Sequence, residues 1–394
     1  MVFPALSSTH QNNRHATLQS LLARATSNAL KLGSIGVLSV GAVAMSWQLK
    51  PAYAVSSTNF QPALLRATAE ALPAVSEEQA ADQFANQGVD AFTQHDYLAA
   101  YEYWQQAMLL YRMDGRQLKE ARMLENLSVV YRVTDRAAEA INMSQQALNI
   151  YDALDVKEEQ PSAFLNMGSA YRMSGQLSEA IAAYSAGLTI YRQMHDQIGQ
   201  RILLSLLADT YAEAEAYPQS IDAQTQLLDI AQRTGNIQLE AESLSELAYA
   251  HFMSEQHAQA VGHYQSALTL FQQLGDRPQE VAVLNNLGRA AYLNQDFETA
   301  LTAYQRALDI FSELNRPVQT AHLWVNIGQA HVAAGDLDAA IEAFQQSVNL
   351  AEMIREQQAD STLPPRLEAA YRELAVLLQQ ENRGSEAQQI LGLI

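Results

Sequence analysis

Five asparagines recur at one step of a 40-residue frame: Asn86, Asn126, Asn166, Asn286 and Asn326, with Leu206 and Glu246 in the two remaining copies. Asparagine is a poor helix former, because its amide competes for backbone hydrogen bonds. A row of asparagines inside helical segments therefore has a purpose beyond propensity. A side-chain amide both donates and accepts, so the row can either bind an external polar chain or bridge neighbouring helices. Arg122, Arg132 and Arg172 are expected on the same face. A guanidinium can hold a carboxylate through two parallel bonds, or be ion-paired within its own surface.

Other reactive residues point to no reaction. The chain has nine histidines and no cysteine, which excludes disulfides, thiolate metal sites and a lipid-anchored cysteine. His251 and His331 occupy a tyrosine column and read as packed aromatic substitutes. His257 and His263 are six apart, which is not one helical face, so they do not suggest a two-ligand zinc site. No HExxH, GxSxG or GxxxxGK[ST] motif occurs. No catalytic residue, metal or cofactor is implied, and the chain does not read as an enzyme.

The elements that carry these residues repeat. One column reads Gly88, Ser128, Gly168, Ala208, Ala248, Gly288, Gly328; a second, twelve residues on, reads Ala100, Ala140, Ala180, Ser220, Ala260, Ala300, Ala340. The column before the first is apolar in six of seven copies, from Leu127 to Ile327, with Gln87 the exception. A fixed step of this size marks a solenoid of stacked units. Each unit reads as two amphipathic helices. In residues 280–319, Leu284, Leu287, Gly288 and Ala291 make one apolar face. Asp296 is a suitable N-cap, as are Asp96 and Asp336 at equivalent positions. Phe297, Ala300, Leu301, Tyr304, Ala307, Leu308 and Phe311 make the second face. Small residues at the paired columns let the two helices approach closely.

The pattern W/L-x-x-L-G-x-x-Y followed by alanine, an aromatic and a small residue resembles the tetratricopeptide repeat. It reads Trp324, Ile327, Gly328, His331, Ala340, Phe344, Ser347 in the seventh unit and Phe164, Met167, Gly168, Tyr171, Ala180, Tyr184, Gly187 in the third. The usual period is ~34, so the likeness is to the longer-repeat branch seen in kinesin light chain and Pins-type scaffolds. The six extra residues are expected between units, as in 114–120 and 275–280. The resemblance covers about residues 80–354. It implies an all-α, right-handed tetratricopeptide-like α-solenoid of helix-turn-helix hairpins. It also implies that the asparagine row faces a concave groove, where amides bond the backbone of an extended peptide. Arginines beside them could then hold a partner's carboxylate, although the spacing is not the lysine pattern of carboxylate-clamp members.

Some segments depart from the frame. In residues 200–239, Pro218 sits near the start of the second helix, which is expected to begin late. The aromatics Tyr97, Tyr101, Trp104 and Tyr111 occupy apolar columns and read as core, with Tyr103 alone exposed. Residues 1–54 hold Arg14, Arg24, Lys31 and Lys50 and no acid, then an apolar stretch from Leu32 to Met45 and Ala52-Tyr53-Ala54. This reads as an export signal cleaved after Ala54; the alternatives are an uncleaved anchor or an organelle transit sequence. The exported compartment would be a periplasm or a thylakoid-type lumen. Residues 55–75 read as a linker and Ser76 to Gln79 as a capping box. Seven repeats then fill 76–359, and 360–394 reads as a proline-containing loop and a degenerate capping hairpin.

The formal charge of −19 becomes −23 once the presequence is removed, with 20 basic against 43 acidic residues. That argues against nucleic acid, since phosphate contacts need clustered Lys and Arg. No stable membrane insertion is expected after cleavage. The sequence points to a scaffold for a protein or peptide partner, or alternatively a structural subunit docking through its convex face or terminal repeats.

Overall fold

The computed structural model describes residues 77–357 and 365–394. The expected export signal, the linker and Ser76 of the capping box lie outside the described residues, as does most of the proline-containing loop. Every described element is helical. They fall in two compact units divided between Ala214 and Glu215.

The first unit holds α1 (Glu77–Thr93), α2 (Tyr97–Met113), α3 (Gln117–Val133), α4 (Ala137–Leu154), α5 (Gln160–Met173), α6 (Leu177–Gln193) and α7 (Gln197–Glu213). A single 3-10 turn, Lys157–Glu159, precedes α5. The second unit holds α8 (Tyr217–Thr234), α9 (Ile237–Met253), α10 (His257–Leu274), α11 (Arg277–Leu293), α12 (Phe297–Glu313), α13 (Pro317–Ala334), α14 (Leu337–Gln357), α15 (Pro365–Gln380) and α16 (Gly384–Leu391). Within each unit consecutive helices pack as antiparallel pairs.

Two helices of about 17 residues and two turns of three account for the 40-residue step. The six extra residues therefore lengthen the helices. They do not form the connections expected at 114–120 and 275–280. Most of the described turns close by one device. At the α1–α2 turn His95 is left-handed at φ 64°, and the Asp96 amide donates to Ala91 O at 2.9 Å. Such a six-to-one bond satisfies a carbonyl that the helix end leaves open. Asp96, Asp296 and Asp336 then accept from Ala99 N, Thr299 N and Ala339 N at 3.0–3.1 Å. Asp196, Asn236 and Asp276 cap the alternate turns in the same way. Pro218 does not delay α8, which begins at Tyr217 in register with the other second helices. The amides of a first helical turn have no intrahelical partner, so a proline there costs none.

The paired small columns are the hairpin contacts. Ala100, Ala140, Ala180, Ala260, Ala300 and Ala340 are fully buried. A Cβ on Gly88, Gly168, Gly288 or Gly328 would stand 2.4, 2.6, 2.4 or 2.8 Å from the ring of Trp104, Tyr184, Tyr304 or Phe344. Each glycine is thus the socket for an aromatic sixteen residues on. Full burial of a ring such as Phe344 contributes about 1.5–3 kcal/mol. The second repeat has a polar version: Ser128 and Ser144 share a hydrogen bond of 2.7 Å, and Ser128 Oγ also donates to Ala140 O at 2.9 Å.

Successive repeats are joined by apolar packing and by a recurring polar clasp eight residues long. Arg112 Nε donates to Glu120 at 2.7 Å, Gln160 to Asp152 at 2.7 Å, Gln232 to Glu240 at 3.1 Å and Gln272 to Glu280 at 2.9 Å. Trp104 and Tyr111 are core, whereas Tyr97 and Tyr101 are half-buried. Tyr103 is half-buried too, because it stacks on Phe84 at 6.3 Å. In the second unit, Leu367, Tyr371, Leu374 and Ala387 of α15 and α16 share a core with Phe344 and Val348 of α14.

Candidate functional site

The first helices of the repeats carry the asparagine row. Asn86 on α1 is exposed, Asn286 on α11 is half-buried, and Asn126 on α3, Asn166 on α5 and Asn326 on α13 are buried. The helices that carry Asn126 and Asn166, α3 and α5, pack on one another. Asn166 is wholly shielded and Asn126 nearly so. The amide nitrogens of both, Nδ2, have no hydrogen-bond partner among the described residues. An unmade bond at a buried donor costs about 1–3 kcal/mol. Asn326 Nδ2 reaches Asn285 Oδ1 at 3.5 Å, so the row differs in kind in the second unit.

Arg132 completes the cluster in the first unit. It is buried, and its Nη2 lies 3.5 Å from Asn166 Oδ1, the long limit for such a bond. That contact engages the carbonyl side of Asn166 and leaves its NH2 side as donor. Burial pushes the Arg132 guanidinium down to about 10, with Tyr184 offsetting a little of the shift. Tyr184, seated in the Gly168 socket, donates its hydroxyl to Ser169 Oγ at 3.1 Å, and Ser169 is itself buried. Arg132, Asn166, Ser169 and Tyr184 thus make a mostly donor-bearing polar cluster.

The other two arginines are held by carboxylates. Arg172 Nε and Nη2 grip Glu213 of α7 through contacts of 2.9, 3.1 and 2.5 Å. Burial would lower the Arg172 pKa, but the Glu213 bonds and the nearby Asp209 outweigh it and the net shift is upward. Arg122 Nη2 pairs with Glu159 at 2.6 Å. The structure therefore brings Arg132 to the asparagines and gives Arg122 and Arg172 carboxylates of their own.

One buried acid was not singled out in the sequence. Glu125 of α3 accepts from Tyr151 of α4 at 2.7 Å and from Ser162 of α5. Desolvation raises its carboxyl to about 7 despite those two bonds. Its only sequence signal is that it adjoins Asn126. His331 Nδ1 stands 3.9 Å from Asp336, a contact of the hairpin turn. Among the described residues no group of three or more His, Asp and Glu is placed to hold a metal ion. No described helix is long and apolar enough to cross a membrane.

The tetratricopeptide-repeat family model matches residues 239–313 and 283–353. No curated protein matches the chain in sequence. Among solved structures, a putative kinesin light chain of Podosopora anserina with TPR-like repeats shares 21% identity, covering 48% of this chain and 90% of that one, at a TM-score of 0.41. BtubC (BKLC) from P. vanneervenii shares 20% over 58% of this chain and 93% of that one, at 0.45. A STAND signal-transduction ATPase with a tetratricopeptide-repeat sensor, from Pyrococcus horikoshii, shares 16% over 82% and 53%, at 0.50, a likeness of fold alone.

Proposed function

We propose that this tetratricopeptide-repeat protein is a non-enzymatic scaffold that binds an extended peptide segment of a partner protein along the first helices of its repeats. The single observation that carries the reading is the pair of buried amide donors on Asn126 and Asn166, adjacent in the row and without partners. These donors are covered in the free chain, so an extended peptide would supply the acceptors they lack, its backbone carbonyls, once the amides turn outward. Arg132 supplies a cation at the same place, so a segment with an acidic side chain or a free carboxylate suits the site. Arg122 and Arg172 would engage such a group only by exchanging it for Glu159 or Glu213. Within the first unit Asn86 would join Asn126 and Asn166, and within the second unit Asn286 and Asn326 would offer amides of the same kind.

Selection of a random peptide library on the full chain tests this. Enriched peptides that depend on Asn126 and Asn166 support the reading, and enrichment unchanged in the Asn126→Ala/Asn166→Ala variant contradicts it.

A second reading, assembly into a larger complex through the ends of the array, is favoured by one feature. Val376, Leu391, Leu393 and Ile394 are exposed on and after the last helix pair. Partner capture that survives the asparagine substitutions but fails in Leu391→Asp/Leu393→Asp would select it. Export rests on residues 1–54 alone, outside the described residues. Sequencing of the mature N-terminus should begin at Val55, and an intact N-terminus in a membrane fraction would favour an anchor.

A further inference from the structure

The fifth repeat departs from its neighbours at two positions. The column of Tyr131, Tyr171 and Tyr211 reads His251, as it reads His331 in the seventh repeat, and the column of Met143, Ala183, Ala223 and Ala303 reads His263 in the fifth repeat alone. The structure brings these two replacements together. Their rings, from α9 and α10 of one hairpin, have centroids 5.2 Å apart and planes within 15°. Both side chains are half-buried, so solvent reaches them.

One of the two rings is also fixed in orientation. His251 Nδ1 lies 2.6 Å from Gln256 Oε1. An amide oxygen only accepts, so Nδ1 is the donor in this contact and Nε2 takes no part in it. Metal-bound histidines are commonly oriented in this way, the far N–H fixed on an acceptor. His263 is held below the ordinary imidazole range, first by burial and then by His251.

We propose that His251 and His263 form a two-imidazole site for one divalent transition ion of the zinc class, its remaining positions filled by water. Imidazole suits Zn, Ni and Cu ions and not the oxygen-seeking Mg or Ca. A zinc–nitrogen bond is ~2.0–2.1 Å, so two nitrogens on one tetrahedral ion stand about 3.3 Å apart. The ring centroids now stand 5.2 Å apart in near-parallel planes, so binding an ion would require both imidazoles to turn about χ2 until their nitrogens converge. With two protein ligands the site is open and weaker than a four-ligand structural site. It would clip α9 to α10, and the acidic chain, at −19, favours the added positive charge.

The test is calorimetric titration of zinc into the untagged full chain at pH 7.5, and again at pH 5. One ion per chain should bind at pH 7.5, and much less tightly at pH 5, because protons compete for the imidazoles. Binding should weaken at least tenfold in His251→Tyr/His263→Ala and stay unchanged in His257→Ala. The double variant restores the residue types of the third repeat, Tyr171 and Ala183, so its fold is expected to persist, and circular dichroism checks that. Absence of zinc binding, or equal affinity in the folded double variant, would overturn the site.

Discussion

Gly288 and Tyr304 fit as socket and ring: a Cβ on the glycine would stand 2.4 Å from the tyrosine Cε1, closer than any real contact. The glycine lies in mid-helix, where alanine would ordinarily be favoured by about 1 kcal/mol. Its place is explained by the ring it admits, and the hairpin α11–α12 closes on that contact.

Gly288→Ala should therefore destabilise the chain by about 1–3 kcal/mol despite its better helix propensity. Ala300→Leu and Ala340→Leu overpack the companion column and should cost a similar ~1–3 kcal/mol. Denaturant unfolding measures all three. Unchanged midpoints would mean that the columns are not the helix contacts.

Glu255 stands at φ 59° in the turn between α9 and α10, a conformation that L-residues adopt at a cost. Its counterpart Gly335, at φ 84°, has no Cβ to clash. Glu255→Gly should stabilise by roughly 0.5–1 kcal/mol, since the left-handed penalty of about 1–2 kcal/mol exceeds the added chain entropy. A lowered melting temperature would refute the turn assignment.

The carboxyl of Glu125 is raised to about 7 from an ordinary 4.5, so the folded chain holds this proton more tightly than the unfolded chain. The sign follows directly. The contribution is fully present below about pH 4.5 and is lost as pH rises through about 7, amounting to roughly 3 kcal/mol at most. Glu125→Gln, which stays neutral, should gain stability relative to the parent between pH 5 and pH 8. Unfolding curves of the two proteins that move in parallel across that interval would show that Glu125 does not titrate there.

Much of the fold is legible because each hairpin contact leaves a column of small residues, and the columns recur in register. Helix lengths are less legible. Terminal turns such as Arg112-Met113 and Gln117 face solvent, so the apolar period fades before the helix ends. The delayed start assigned to Pro218 fails for a local reason, the absence of any bond for its amide to lose. The site is partly legible. Asparagines stand out against helix propensity, but their burial depends on how α3 packs on α5. The partner of Arg172 is Glu213, 41 residues on, a spacing that matters only once adjacent first helices are known to be neighbours.

The arginines of the row should separate in binding. Arg132→Ala removes the cation beside Asn166 and should weaken capture of an acidic peptide by roughly 1.5–3 kcal/mol. Arg172→Ala should change it little, because Glu213 already holds that guanidinium. Equal losses would show that Glu213 yields to the ligand.

Titration of one library-selected peptide into the parent chain and into Asn126→Ala/Asn166→Ala tests the central claim most directly. Two lost hydrogen bonds at ~0.5–1.5 kcal/mol each should weaken binding about fivefold or more, with circular dichroism unchanged. Undiminished affinity in the folded double variant would contradict a peptide held by the asparagine row.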